Sequence, residues 1–175
     1  MNFTTKTVLL LATLALAACN NPRPGMFGGG GTDGFGGFDQ GISSQALGDP
    51  NDPTSIAHFN QRIGDRVHFT TDSSSISEEG RQTLNAQARW LTANPHFPII
   101  IEGHADERGT REYNVALGER RANAVMQYLV SQGISRDRMR TVSYGKERPV
   151  EACAAQRCWD LNRRAVTVIS GGRTS

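Results

Sequence analysis

The residues best suited to bind a charged ligand stand in one loop. This loop runs Gly103-His104-Ala105-Asp106-Glu107-Arg108-Gly109, between a β-branched run at 99–101 and a long helical pattern. In open α/β sheets ligands collect at loops that follow strands, and glycines let a backbone approach a ligand closely. The loop is therefore the first place in this sequence to look for a binding site.

Arg121 is the one charged residue in an otherwise apolar stripe of the helix that follows. The stripe is found by steps of four, the spacing of one helix face, and contains Tyr113, Leu117, Arg121, Val125 and Leu129. An unpaired buried charge is costly, so this arginine must pair, reach water or bind an anion. The spacing alone does not decide between an arginine whose stem covers the core and one that binds a ligand.

An acid at Asp106 and a guanidinium at Arg121 would together suit a zwitterion. The carboxylate would meet an ammonium group, and the planar guanidinium would meet a carboxylate. Taken alone, Asp106 is better explained as a loop cap. If the pair binds a ligand, we expect Asp106→Ala or Arg121→Ala to abolish binding while the domain stays folded.

The sequence favours binding over catalysis. It has no G-x-S-x-G nucleophile motif, no H-E-x-x-H, and no second histidine at metal spacing from His104. Nucleic-acid binding is also a poor expectation, because the formal net charge is +2 and the basic residues form only short pairs, Arg120-Arg121 and Arg163-Arg164. We predict no enzyme activity, no metal and no cofactor.

The first 18 residues have the pattern of a secretory signal. Lys6 precedes an apolar run from Val8 to Ala18, which is too short to span a bilayer as a helix. The ending Leu16-Ala17-Ala18-Cys19 resembles the bacterial lipobox, in which the cysteine is lipidated after cleavage. The alternative is an ordinary signal with a chance cysteine. Lipidation of Cys19 would give a durable membrane anchor, and the following asparagine suggests the outer membrane by the bacterial sorting rule.

Residues 19–55 are predicted to be a lipidated cysteine followed by a flexible linker. Nine of the 19 glycines fall between Gly25 and Gly41, and the segment has no apolar periodicity. Such a segment cannot bury enough surface to offset its ordering entropy. A flexible chain of this length has a root-mean-square reach of roughly 30 Å. The folded domain is predicted to occupy residues 56–175.

Cys153 and Cys158 remain as a pair once Cys19 is assigned to the anchor. They could form a structural disulfide in an oxidising compartment or stay as two thiols. Closing so short a loop would contribute ~2 kcal/mol in the chain-entropy model. Their spacing does not match a zinc site or a C-x-x-C redox pair.

Alternating patterns of strand and helix predict an α/β sandwich. Strands are predicted at 66–70, 97–102, 139–144 and 164–170, and helices at 77–94 and 111–132. With a short helix before the last strand, the order is β-α-β-α-β-(α)-β, in which helices pack against a sheet.

Several motifs in this order resemble the OmpA-like family, and in particular its peptidoglycan-associated lipoproteins. The resemblance covers about residues 56–170 and implies a mixed sheet packed against helices. It rests on Gly103-His104-Ala105-Asp106-Glu107-Arg108-Gly109-Thr110, Glu112-Tyr113-Asn114, Leu117-Gly118-Glu119-Arg120-Arg121-Ala122, Ser143-Tyr144-Gly145-Lys146 and Asn162-Arg163-Arg164.

The resemblance implies a ligand and a set of contacts. OmpA-like domains bind meso-diaminopimelate in the peptidoglycan stem peptide, whose side-chain end is a zwitterion. By motif position the contacts are Asp72, Asp106, Leu117 and Arg121, and Thr71, beside Asp72, would offer backbone contacts. The chain departs from the family at two places, Thr70, where many members have an acid, and Ala105, where many have threonine. Neither departure removes the acid and the arginine.

The resemblance also implies partners and a location. Proteins of this kind bind peptidoglycan, engage TolB and other Tol proteins, and tether the outer membrane to the cell wall during growth and division. We therefore expect an outer-membrane lipoprotein on the periplasmic face, held by Cys19, that does not bind nucleic acid.

Overall fold

The computed structural model describes residues 47–171 of the chain. The predicted signal at 1–18, the lipidation site Cys19 and the linker as far as residue 46 lie outside the described residues. Within residues 47–171, no helix is both long and apolar enough to cross a membrane.

Within residues 47–171, four strands, four α-helices and two further helical turns follow one another. In chain order they are α1 (Ile56–His58), a π-helical turn (Phe59–Gly64), β1 (Arg66–His68), α2 (Glu78–Ala93), β2 (Ile99–His104), α3 (Arg111–Ser131), a 3₁₀ turn (Arg136–Arg138), β3 (Met139–Gly145), α4 (Gln156–Asn162) and β4 (Arg164–Ile169).

The strands form one mixed sheet in the order β1-β4-β2-β3. β2 and β3 are parallel, while β4 runs antiparallel to both β1 and β2. The parallel pair is joined through α3, because parallel neighbours need a crossover connection. The predicted order of elements and the mixed sheet are confirmed.

Local capping explains where the two long helices begin. Ser77 and Thr110 stand before α2 and α3, and their hydroxyls accept hydrogen bonds from the backbone N–H groups of Gly80 and Tyr113, at 3.1 and 3.2 Å. At the other end of α3, Gly133 has a φ of 91°, a conformation that glycine adopts without steric cost. The predicted bounds of both helices hold to within a residue or two.

One face of the sheet and the buried sides of the helices form the core. Ile99 and Ile101 of β2 pack among Leu84 and Leu91 of α2 and Leu129 of α3. Removing such side chains from water is the main favourable term in folding. The core fixes the carboxyl end of β2 against the first turns of α3, where the predicted binding loop lies.

The folded unit includes residues that the sequence assigned to the linker. Leu47 packs against the core, and the Trp90 indole N–H donates a 2.7 Å hydrogen bond to the carbonyl of Pro53. Ser55 is buried and caps α1 through the N–H of His58 at 3.0 Å. The prediction that the linker extends to residue 55 is therefore wrong for residues 47–55. This stretch is held by turns and caps, which leave no apolar periodicity to detect.

Candidate functional site

A cavity of about 300 Å³ lies where the loops after β1 and β2 meet the first turns of α3. Its lining combines residues from these three places with the residue just before β4. They are Thr71, Asp72, Asp106, Arg108, Gly109, Tyr113, Asn114, Leu117, Arg121 and Arg163. All five residues predicted as ligand contacts thus line one cavity.

Asp106 is buried and surrounded by arginine donors. Its Oδ2 atom accepts hydrogen bonds from Arg108 Nη2 at 2.7 Å and from Arg163 Nη1 at 3.1 Å, while its Oδ1 accepts from the Arg108 backbone N–H at 3.1 Å. Burial by itself raises the pKa of this carboxyl, but the hydrogen bonds from the two arginines outweigh burial and hold the pKa below its ordinary value. Asp106 is therefore a charged carboxylate whose oxygens are already well occupied.

Arg121 is fully buried and bonds to backbone rather than to Asp106. Its Nε, Nη1 and Nη2 groups donate to the carbonyls of Ser73, His104 and Thr70 at 2.8, 2.8 and 3.2 Å. Burial lowers the pKa of Arg121 to about 10, and the nearby charge of Arg163 adds to that effect. The guanidinium stays protonated at neutral pH and ties the loops after β1 and β2 to α3.

Asp106 and Arg121 were expected to share one cleft, and both line this cavity, although no ion pair joins them. The guanidinium bonded to Asp106 from across the fold belongs to Arg163. Arg163 also donates to the Phe69 carbonyl at 3.0 Å and pairs with Asp160. In the sequence Arg163 stood out only as part of a short basic pair, because its partner at position 106 is distant along the chain.

Asp72 is held at the mouth of the cavity by a neutral partner. The Tyr113 hydroxyl donates to Asp72 Oδ1, and no salt bridge to Asp72 occurs within residues 47–171. Asp72 has a φ of 55°, in the left-handed region that aspartate tolerates better than most residues. The hydrogen bond to Asp72, more than burial, raises the pKa of Tyr113. Tyr113 is 44% exposed, so its assignment to the core-facing stripe is wrong, whereas the rest of that stripe is buried.

Arg108 is the accessible cation of the cavity. Its side chain is 41% exposed, whereas Arg121 and Arg163 as whole residues are 0% and 4% exposed. Its Nη2 group contacts Asp106 and lies 3.4 Å from Thr71 Oγ1, but its Nη1 group has no hydrogen-bond partner in the described part of the chain. An anion entering the cavity would therefore meet Arg108 first.

The charges around the cavity favour a ligand that carries both signs. Three arginines and two aspartates line it, which leaves a net charge of +1. Leu117, 5% exposed, adds an apolar side chain to the same lining. Such a cavity can accept a carboxylate and an ammonium joined by a short apolar segment.

His104, the histidine of the predicted binding loop, is not among the residues that line the cavity. Its ring is buried, with its centroid 5.5 Å from that of Tyr144. Burial lowers the pKa of His104. Across the residues that the structure describes, no cluster of three or more histidine, cysteine, aspartate or glutamate side chains is arranged to hold a metal ion.

Cys153 and Cys158 are joined by a disulfide in the structure, with their Cα atoms 5.8 Å apart. The sequence left open a disulfide or two free thiols, and the structure has the disulfide. The bond closes the loop that leads into α4, and Cys158 is fully buried. It therefore anchors the start of a helix that borders the cavity loop.

Comparison with known proteins adds a family to this geometry. The profile of the OmpA family matches residues 68–158. Proteins named peptidoglycan-associated lipoprotein are 47% identical over 164 residues in Agrobacterium fabrum, covering 94% of this chain and 86% of that one, and 38% identical over 167 residues in Haemophilus influenzae, covering 95% and 98%. The Brucella melitensis protein of that name is 56% identical over 119 residues, covering 68% and 71%.

Solved structures with the same fold include members of the same group. The crystal structure of the peptidoglycan-associated lipoprotein from Burkholderia pseudomallei superposes with a TM-score of 0.62 at 40% identity, covering 70% of this chain and all of that one. The C-terminal domain of Helicobacter pylori MotB superposes with a TM-score of 0.58 at 20% identity, covering 62% and 86%, and shows likeness of fold alone.

Proposed function

Because this chain belongs to the OmpA family, and within it to the peptidoglycan-associated lipoproteins, we propose that its cavity binds the diaminopimelate side chain of the peptidoglycan stem peptide. The family consists of binding proteins, and this chain is not an enzyme. The observation that carries the proposal is the cavity itself, in which two aspartates and three arginines surround an apolar patch. A diaminopimelate side chain ends in one ammonium and one carboxylate, so it matches both signs.

We assign the ammonium group to Asp72. The second carboxylate, Asp106, already accepts hydrogen bonds from two arginines, whereas Asp72 accepts one from a neutral hydroxyl. An ammonium group gains most from a carboxylate whose charge is not yet balanced by a cation. Thr71 and Leu117 line the same cavity.

We assign the ligand carboxylate to Arg108, whose Nη1 group faces no partner among residues 47–171. Arg121 contributes to the site from a fully buried position. Its guanidinium is fully covered, so its charge raises the positive potential of the cavity while its hydrogen bonds hold the loops in place. Asp106 orients Arg108 and keeps two neighbouring arginines from repelling each other. Thr71, Asp72, Asp106, Leu117 and Arg121 thus all remain in the proposed site, with Arg108 added.

Isothermal titration with two stem peptides tests the ligand chemistry. We expect a diaminopimelate peptide to bind at least about tenfold more tightly than a lysine peptide, since lysine lacks the side-chain carboxylate and a charged hydrogen bond is worth ~1.5–3 kcal/mol. Equal affinity for the two peptides would contradict the proposal that the cavity reads a zwitterion.

Asp72→Asn tests the ammonium contact. We expect this change to weaken binding of the diaminopimelate peptide by about tenfold or more, because it removes the charge while keeping the shape of the side chain. The matched control is Asp137→Asn, an exposed aspartate before β3, at the opposite end of the parallel β2–β3 pair. Circular dichroism checks that both variants fold. Wild-type affinity in Asp72→Asn would remove Asp72 from the site.

We propose that Cys19 carries the lipid that anchors the protein to the periplasmic face of the outer membrane. The lipobox pattern and the names of the relatives support this assignment. Mass spectrometry of the mature amino terminus measures it directly. A mature protein that starts elsewhere, or carries no acyl chains, would refute the anchor.

We propose further that the protein acts with TolB and other Tol proteins to maintain the envelope during cell division. Resemblance to the family supports this role. Titration of TolB into the protein, alone and saturated with stem peptide, would measure the interaction and any competition with the wall. The absence of TolB binding in both titrations would exclude it as a partner.

A further inference from the structure

Trp159 holds the cavity loop from outside the cavity. It lies on α4 and is not among the lining residues. Its indole N–H donates a 3.0 Å hydrogen bond to Glu107 Oε1, and the guanidinium carbon of Arg108 stands 4.3 Å from the centroid of its ring. Two consecutive loop residues are therefore held by one aromatic side chain.

The contact with Arg108 fixes a group that would otherwise move. Arg108 is substantially exposed, and a long side chain in water samples many rotamers. Stacking on an aromatic face restrains the plane of the guanidinium, while Asp106 restrains one of its edges. With both restraints in place, the remaining Nη1 group keeps one direction relative to the cavity.

The helix that carries Trp159 is tied to the loop before it at both of its ends. The Cys153–Cys158 bond joins its first turns to the preceding loop. At its last residue, Asn162 Oδ1 accepts from the backbone N–H groups of Val150 and Glu151, at 2.8 and 3.2 Å. The seven-residue helix has no side-chain cap at Ala155, and these two links tie it to the loop that precedes it.

We propose that Trp159 is a positioning residue that sets the specificity of the cavity for a ligand with a side-chain carboxylate, acting through Arg108, and that the Cys153–Cys158 bond keeps Trp159 in place. This inference rests on the proposed function, in which Arg108 meets that carboxylate. It separates two roles: Asp72 provides affinity for any ammonium group, while Trp159 and Arg108 distinguish diaminopimelate from lysine.

The test is the ratio of the two peptide affinities in the purified protein. We expect Trp159→Ala to lower the affinity for the diaminopimelate peptide by about fivefold, the size of one exposed cation–π contact. The affinity for the lysine peptide should change by less than about twofold. Trp159→Phe should recover most of the ratio, because it keeps an aromatic face. Leu161→Ala, an exposed residue on the same helix, serves as the control and should leave both affinities unchanged.

The double variant Cys153→Ser/Cys158→Ser tests the second half of the proposal and should shift the ratio in the same direction as Trp159→Ala. An unchanged ratio in Trp159→Ala would overturn the inference. If the affinities for both peptides fell equally, the role of Trp159 would be structural only. An unchanged ratio in the double cysteine variant would overturn the role of the disulfide. A wild-type protein that does not distinguish the two peptides would instead contradict the proposed function, and that result is obtained before any variant is made.

Discussion

Replacing Arg121 with alanine is expected to destabilise the domain by at least about 3 kcal/mol. The guanidinium donates to three carbonyls, of Thr70, Ser73 and His104, and it is completely buried. Leaving a buried acceptor without its donor costs about 1–3 kcal/mol each, and the lost side chain also leaves a cavity. Because a domain of this size is stable by only about 5–15 kcal/mol, this is a large share. Urea denaturation followed by circular dichroism measures it.

Arg120→Ala provides the matched control. Arg120 is adjacent on the same helix and exposed, and its guanidinium carbon lies 5.9 Å from the centroid of the Tyr113 ring. We expect its free energy of unfolding to change by less than about 0.5 kcal/mol. Unfolding free energies that are alike for the two variants would refute the structural role of Arg121.

This expectation changes how a loss of wall binding should be interpreted. The sequence led us to expect that Arg121→Ala would lose binding in a folded domain. The structure gives Arg121 a structural task as well, so lost binding in that variant does not assign a ligand contact. Asp72→Asn is a better test of the site, since it removes a charge while keeping the shape of the side chain.

Gly103→Ala is expected to destabilise the domain by about 3 kcal/mol or more. Gly103 of β2 lies directly against Gly118 of α3, and a Cβ built on Gly103 would stand 1.8 Å from the Gly118 carbonyl oxygen. The atom in the way is backbone, so relief requires the strand and the helix to separate, and overpacking of a rigid site typically costs about 1–3 kcal/mol. Denaturation of the variant measures the loss. The same separation would open the cavity, which lies just beyond β2.

The control for this change is Gly171→Ala. Among residues 47–171, no heavy atom lies within 4 Å of a Cβ built on Gly171. Its substitution should therefore change the free energy of unfolding by less than about 0.5 kcal/mol. If Gly103→Ala proved as mild as Gly171→Ala, the close approach of β2 to α3 would not be a feature of the protein in solution.

Local interactions account for the parts of the fold that the sequence predicted well. Ser77 and Thr110 cap helices through N–H groups three residues away, and Gly133 ends α3 within the same turn. The apolar alternation of β2 and β4 likewise follows from which side chains face the core. The stretch at 47–55 was missed because its turns leave no periodic pattern.

The residues that form the site were predictable, while the hydrogen bonds between them were not. Thr71, Asp72, Asp106, Leu117 and Arg121 were all expected at one site, and they line one cavity. Their hydrogen-bond partners were not foreseen, since Arg163 reaches Asp106 across 57 positions and Arg121 reaches Thr70 across 51. Tyr113 was placed in the core by its spacing, although it bonds to Asp72 at the surface.

The sequence by itself determined the order of the helices and strands, the loop that carries the acidic residue and the family motifs around it. These features depend on capping, alternation and spacing, all of which act within a few residues along the chain. Only the tertiary structure decided which arginine is accessible, which carboxylate is already paired with arginines and which side chain outside the cavity supports the loop. Those outcomes depend on distances between residues far apart in the chain, and such distances are set when the sheet and the helices pack together.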